Sequence, residues 1–135
     1  MTENPNGKGA ESARRTPFTD EELDEFRQLI LKKREDALED IEAMRAQIED
    51  QREHESDSAY SFHMADAGTD AMELEKLYLM IARQQKYVGY LDRALERIEN
   101  GTYGVCRVTG KPIAKERLRA VPHTEISIEA KRQQK

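Results

Sequence analysis

Between Leu74 and Ile98 the chain repeats an apolar residue with almost no slack. Leu74, Leu77, Ile81, Gln84, Val88, Leu91, Leu95 and Ile98 are spaced 3, 4, 3, 4, 3, 4, 3, and only Gln84 is polar. A helix with so narrow a stripe, repeating every 3.5 residues, needs a second helix against it. The upstream sequence supplies one. Leu23, Phe26, Ile30, Ala37, Ile41, Met44 and Ile48 form the matching stripe, the last four at 4, 3, 4. Lys33 and Arg34 interrupt it, so a stutter or looser packing is expected there, with basic stems covering apolar surface. Gln84 either fixes the register of the pair or faces water where the opposing stripe loosens.

The ends of both helices are legible. Thr19-Asp20-Glu21-Glu22 is a capping box, with acids in the first turn and Phe18 and Leu23 placed as a hydrophobic staple. The first pattern fades near His54, giving about 35 residues and roughly 50 Å of helix. Residues 55–68 read as a turn with some apolar content in Tyr60, Phe62 and Met64. Asp66 or Thr69 caps the second helix, which runs to about Asn100, and Gly101 suits the position just past its end. Two helices of similar length with a short connection pack antiparallel. The expected fold is therefore all-α dominated. A disordered tail (1–18) precedes a long antiparallel coiled-coil hairpin (19–100) with its tip at 55–70. A small domain and C-terminal helix (101–135) follow.

Composition agrees. Of 135 residues, 36% are charged and there is no Trp, too polar for a thick globular core. No apolar run is long enough for a bilayer, and the first fifteen residues contain no secretory apolar region. The single cysteine, Cys106, excludes an internal disulfide and fits a reducing cytoplasm. Charge is divided unevenly. Residues 20–55 hold fourteen acids and six bases, net −8, while residues 101–135 hold eight bases and three acids, net +5. An acidic shaft with a basic end argues against a helix lying along duplex nucleic acid and for no direct DNA binding. No concave acid pair, phosphate loop or metal-spaced histidine pair is evident, so no enzyme activity and no cofactor are expected.

The C-terminal segment carries the most specific pattern. Alternating apolar residues around Thr109-Gly110 suggest a small hairpin or zinc-knuckle-like turn. A short helix is expected over Ala114 to Ala120, broken at Val121-Pro122, with another over Ile126 to Arg132. The run Gly101-Thr102-Tyr103-Gly104-Val105-Cys106, then Thr109-Gly110, Pro112-Ile113, Arg117-Leu118 and Val121-Pro122, resembles the zinc-finger half of the DksA/TraR family. Family members carry two Cys-Xaa-Xaa-Cys pairs holding a structural zinc. The corresponding positions are Cys106, Thr109, Ser127 and Ala130, and only the first is cysteine. One thiol, two hydroxyls and a methyl cannot make a tetrahedral zinc site. The resemblance thus implies the finger's fold without its metal, stabilised instead by packing of Val105, Val108, Ile113, Leu118, Ile126 and Ile128.

The resemblance also implies a function: a bacterial transcription regulator binding RNA polymerase at its secondary channel, with the coiled-coil tip modulating initiation. Family tips carry Asp-Xaa-Xaa-Asp-Xaa-Ala. Asp66 matches the second aspartate, His63 stands at the first and Gly68 at the alanine, while Asp70 adds an acid one turn on. The alarmone ppGpp binds some members at the polymerase interface. Arg83 and Lys131 match positions there, but Tyr90 stands where a lysine is expected, so no ppGpp site is assigned. A monomer is expected, its stripe satisfied within one chain. The competing reading is a structural or adaptor coiled coil.

Overall fold

The computed structural model describes residues 15–57 and 67–134, leaving aside the side chains at 54–57 and 67–69. Helix α1 spans Asp20–Asp57 and α2 spans Ala67–Asn100. The short helices α3 and α4 span Lys115–Ala120 and Ile128–Gln133. The only β pairing among the described residues is one antiparallel bridge, Val105 with Pro112. The fold is all-α dominated, as expected. The expected tail (1–18) and tip (55–70) fall largely outside the described residues.

The capping box forms. The Thr19 amide donates to Glu22 Oε1 at 2.9 Å, and the Glu22 amide donates to Thr19 Oγ1 at 3.1 Å. At the other end of the pair, the Thr102 amide donates to the Arg97 carbonyl and the Gly101 amide to the Ile98 carbonyl. This is a Schellman closure, and it needs the left-handed φ of 79° that glycine adopts freely. Helix α2 begins at Ala67, so Thr69 lies inside it and cannot be its cap; Asp66 lies outside the described residues.

Both helices contribute to two compact units, one running Arg34–Gly89, the other taking the residues to Lys33 with those from Tyr90 onward. In the Arg34–Gly89 unit, Ile41, Met44, Ile48 and Ile81 form the buried cluster, with Leu74, Leu77 and Val88 packed half-buried against it. Asp40 meets Gln84, and Arg52 meets Tyr78. The early part of one helix thus faces the late part of the other, so the pair is antiparallel here. Gln84 Nε2 donates to Asp40 Oδ2 at 3.3 Å, a cross-helix bond that favours this register. All seven expected α1 positions are buried, Ile30 and Ala37 included. They lie seven apart, so the stripe keeps its phase across half-buried Lys33 and Arg34, and no stutter occurs.

The second unit packs more deeply. Leu91, Ala94 and Ile98 of α2 are buried with Leu23, Phe26 and Ile30 of α1. Tyr103 is fully buried, its ring 5.4 Å from Phe26 and 6.5 Å from Phe18. Phe18 and Phe26 are themselves 5.4 Å apart. A Cβ on Gly104 would lie 2.2 Å from Phe18 Cε2, so glycine here admits the ring as well as the positive φ. Two expectations fail. Val108 is 51% exposed because it rides the outer turn at 107–110, and Ile128 is 37% exposed because the first turn of α4 buries Ala130 instead. Ile113 and Leu118 are buried; Val105 and Ile126 are half-buried.

Candidate functional site

The residues at the finger positions converge on one sulfur. The chain leaves Gly104, turns at 106–111 and returns, tied by Cys106 N–H to the Lys111 carbonyl, Gly110 N–H to the Cys106 carbonyl, and Ile113 N–H to the Gly104 carbonyl, each 2.8 Å. Arg107 N–H donates to the Glu125 carbonyl at 2.9 Å and joins this turn to the segment leading into α4. Cys106 Sγ then accepts from the amides of Thr109 at 3.5 Å and Ser127 at 3.3 Å. Ser127 Oγ caps α4 by accepting from the Ala130 amide at 3.1 Å.

This arrangement tunes the thiol. Cys106 has no exposed surface, and burial pushes its pKa up. The hydrogen bonds from Thr109, Ser127 and Val108 outweigh that push and bring it down to about 6. The same donors in a metal knuckle would support a metal-bound thiolate. Here the remaining positions cannot complete a donor set. Ser127 Oγ is committed to its cap, Thr109 Oγ1 accepts from the Lys111 amide at 3.2 Å, and Ala130 offers a methyl. Among the described residues, no group of three or more His, Cys, Asp or Glu side chains could hold a metal ion.

Arginines brace the same region. Arg117 Nε donates to the Ile126 carbonyl at 2.8 Å and its Nη2 to Thr124 Oγ1 at 3.2 Å. Arg97 Nη2 reaches the His123 carbonyl at 3.1 Å, and the Tyr103 hydroxyl donates to the Pro122 carbonyl at 2.8 Å. The His123 ring stacks on Tyr90 at 5.5 Å, and Arg93 lies over the Tyr90 ring. Burial, then Arg97 and Lys33, depress the His123 pKa. The sequence reading missed this bracing and the central place of Tyr103. The Gly-Thr-Tyr-Gly run was the available signal, because glycines on both sides of a tyrosine leave space for it to turn inward.

This fold is shared. Residues 101–134 match the family described as the prokaryotic dksA/traR C4-type zinc finger. The "RNA polymerase-binding transcription factor DksA" of Caulobacter vibrioides is 35% identical over 116 residues, covering 84% of this chain and 77% of that protein. The chain belongs to the DksA/TraR family. The structure of transcription factor DksA2 from Pseudomonas aeruginosa superposes with a TM-score of 0.75 at 31% identity, covering 85% of this chain and 84% of that one. General stress protein 16O of Bacillus subtilis is 38% identical over 68 residues, half of this chain and 42% of that protein. Within a family described as C4-type, this chain keeps one cysteine of four. Its donor set does not fit zinc, and amide-to-sulfur and capping bonds occupy the finger positions instead.

Asp70 sits half-buried in the first turn of α2, where a carboxylate is favoured by the helix dipole. His63 and Asp66 lie outside the described residues. No helix among the described residues is long and apolar enough to cross a membrane.

Proposed function

We propose that this protein is a non-enzymatic, cytoplasmic regulator that binds RNA polymerase and enters its secondary channel with the segment between α1 and α2 leading. On this reading residues 19–100 act as the probe and 101–135 as a metal-free base. Asp66, Asp70 and His63 bear on initiation from the tip without doing chemistry themselves. The observation that carries the reading is the 35% identity, over most of both chains, to a protein named as an RNA polymerase-binding transcription factor. The antiparallel pairing of α1 and α2 supports it, because a channel probe must be stiff and narrow.

Binding to purified bacterial RNA polymerase tests it. The protein is expected to bind as a monomer and to be displaced by Gre-type cleavage factors that use the same channel. Asp66→Asn and Asp70→Asn are expected to leave binding intact and to change open-complex lifetime on a supercoiled promoter. A stable elongated dimer with no affinity for polymerase would favour the adaptor reading.

A further inference from the structure

In the Arg34–Gly89 unit the outer sides of the two helices carry opposite charge at the same spacing. On α1, Glu39, Glu42, Ala46, Glu49 and Glu53 follow at 3, 4, 3, 4, turned away from buried Ala37, Ile41, Met44 and Ile48. On α2, read backwards, Lys86, Arg83, Leu79, Lys76 and Met72 follow at the same 3, 4, 3, 4, turned away from Leu74, Leu77, Ile81 and Gln84. All ten side chains are exposed. The α1 row holds no base and the α2 row no acid. Glu42 pairs with Arg45 on its own helix. Among the described residues, Glu39, Glu49, Lys76, Arg83 and Lys86 form no ion pair.

The two rows cannot meet within one hairpin, because each faces away from the other helix. Between copies they match. With α1 of one copy laid antiparallel on α2 of another, Glu39 meets Lys86, Glu42 meets Arg83, Ala46 meets Leu79, Glu49 meets Lys76 and the stem of Glu53 meets Met72. This is, to within one residue, the register of the Asp40–Gln84 bond inside the hairpin. Leu79 is 61% exposed, and the small side chain of Ala46 leaves it room. A basic or an acidic partner would satisfy one row only; a second copy satisfies both. We infer that the protein associates with copies of itself, the acidic outer side of α1 in one hairpin lying on the basic outer side of α2 in the next. The contact is heterologous, and every added copy offers the same two faces again, so the assembly is open-ended rather than a closed dimer. Exposed ion pairs are individually weak, and the net charge of −5 opposes association, so the assembly is reversible and sensitive to salt. Self-association of this kind is independent of polymerase binding.

Sedimentation equilibrium of the full chain alone, from about 10 μM to about 1 mM, tests this. The weight-average mass is expected to climb continuously with concentration at low salt and to return to the monomer at about 0.5 M salt. Two charge-swapped variants give the decisive arm. Lys76→Glu with Lys86→Glu, and separately Glu39→Lys with Glu49→Lys, are each expected to associate about tenfold or more weakly than the unaltered protein, with unchanged helical circular dichroism. Mixed in equal amounts, the two variants are expected to regain association, because each acidic row then meets a basic one. A monomer at every concentration in low salt would overturn the inference. So would a closed dimer of fixed mass, variants that associate as strongly as the unaltered protein, or a mixture no heavier than its two components. The salt response of the unaltered protein decides the matter even if a variant fails to fold: association that strengthens with salt is apolar and sinks the charge-matched contact.

Discussion

The two compact units bury their side chains to different depths with the same two helices. In the Arg34–Gly89 unit the stripe is one layer thick. Ile41, Met44, Ile48 and Ile81 are buried, but their neighbours Leu74, Leu77 and Val88 stay half-buried. In the other unit, Ile30, Leu91, Ala94, Tyr103, Cys106 and Leu118 are all fully buried. Two helices alone can shield only the line along which they touch. A third element closes the sides. Here it is the segment beginning at Gly101, which inserts Tyr103 against Phe18 and Phe26. Family members described as C4-type use zinc to hold this segment; this chain holds it with a packed ring and hydrogen-bonded arginines.

The sharpest way to break that contrast is Tyr103→Ala. Removing a fully buried ring is expected to destabilise by about 3–5 kcal/mol, read as a lower denaturant midpoint. Tyr103→Phe keeps the ring and leaves the Pro122 carbonyl without its donor, with an expected loss of about 1–2 kcal/mol. If the two variants are equally mild, the ring is not the third element that the comparison makes it.

Next comes a matched pair. Leu91→Ala, at a fully buried position, is expected to lose about 3–4 kcal/mol, and Leu77→Ala, at a half-buried one, about 1 kcal/mol. Equal losses would mean that the single-layer seam is as dry as the deeper unit.

Smaller effects depend on pH. The Cys106 thiol has a folded pKa of about 6 against an ordinary value of 9.0. A folded value below the unfolded one means that the folded state gains from the thiolate. That gain is full above pH 9 and is lost as pH falls toward 6. The thermal midpoint should therefore rise from pH 6 to pH 9 more in the unaltered protein than in Cys106→Ala. A parallel pH response would show that the amides of Thr109 and Ser127 do not stabilise the thiolate.

The smallest effect is expected at Glu22. Its hydrogen bonds, first with Lys115 and then with the Thr19 amide, hold its carboxyl below the usual carboxylate range. The stability it contributes is present above its unfolded pKa and lost as pH falls through the folded one. Glu22→Gln should flatten the acid limb of a stability profile slightly, and Lys115→Met should do nearly the same.

Most of the helical architecture was legible because it repeats. Seven α1 positions, the capping box and the Gly101 closure follow from local spacing and local chemistry. Ala94 was not legible, since a small side chain carries little hydropathy yet is fully buried where elements approach closely. Tyr103 was hidden for another reason. Its burial depends on Phe18 and Phe26, which are remote in sequence. Val108 and Ile128 misled because hydropathy does not say which way a turn or a helical first turn points. At the finger, the thiol, two hydroxyls and methyl of the four positions were legible as a poor donor set for zinc. That two backbone amides hold the remaining sulfur was not legible, because it depends on how Thr109 and Ser127 are folded around it.

The peptide after Asn100 has one further role. The Gly101 carbonyl accepts the amides of both Arg15, at 2.7 Å, and Thr16, at 2.9 Å. The residue that ends α2 therefore also anchors the segment leading into α1. Those two amides cannot be protected from solvent exchange until the far end of α2 has closed its last turn. Their exchange rates therefore report how often the junction between the end of α2 and the entry to α1 opens.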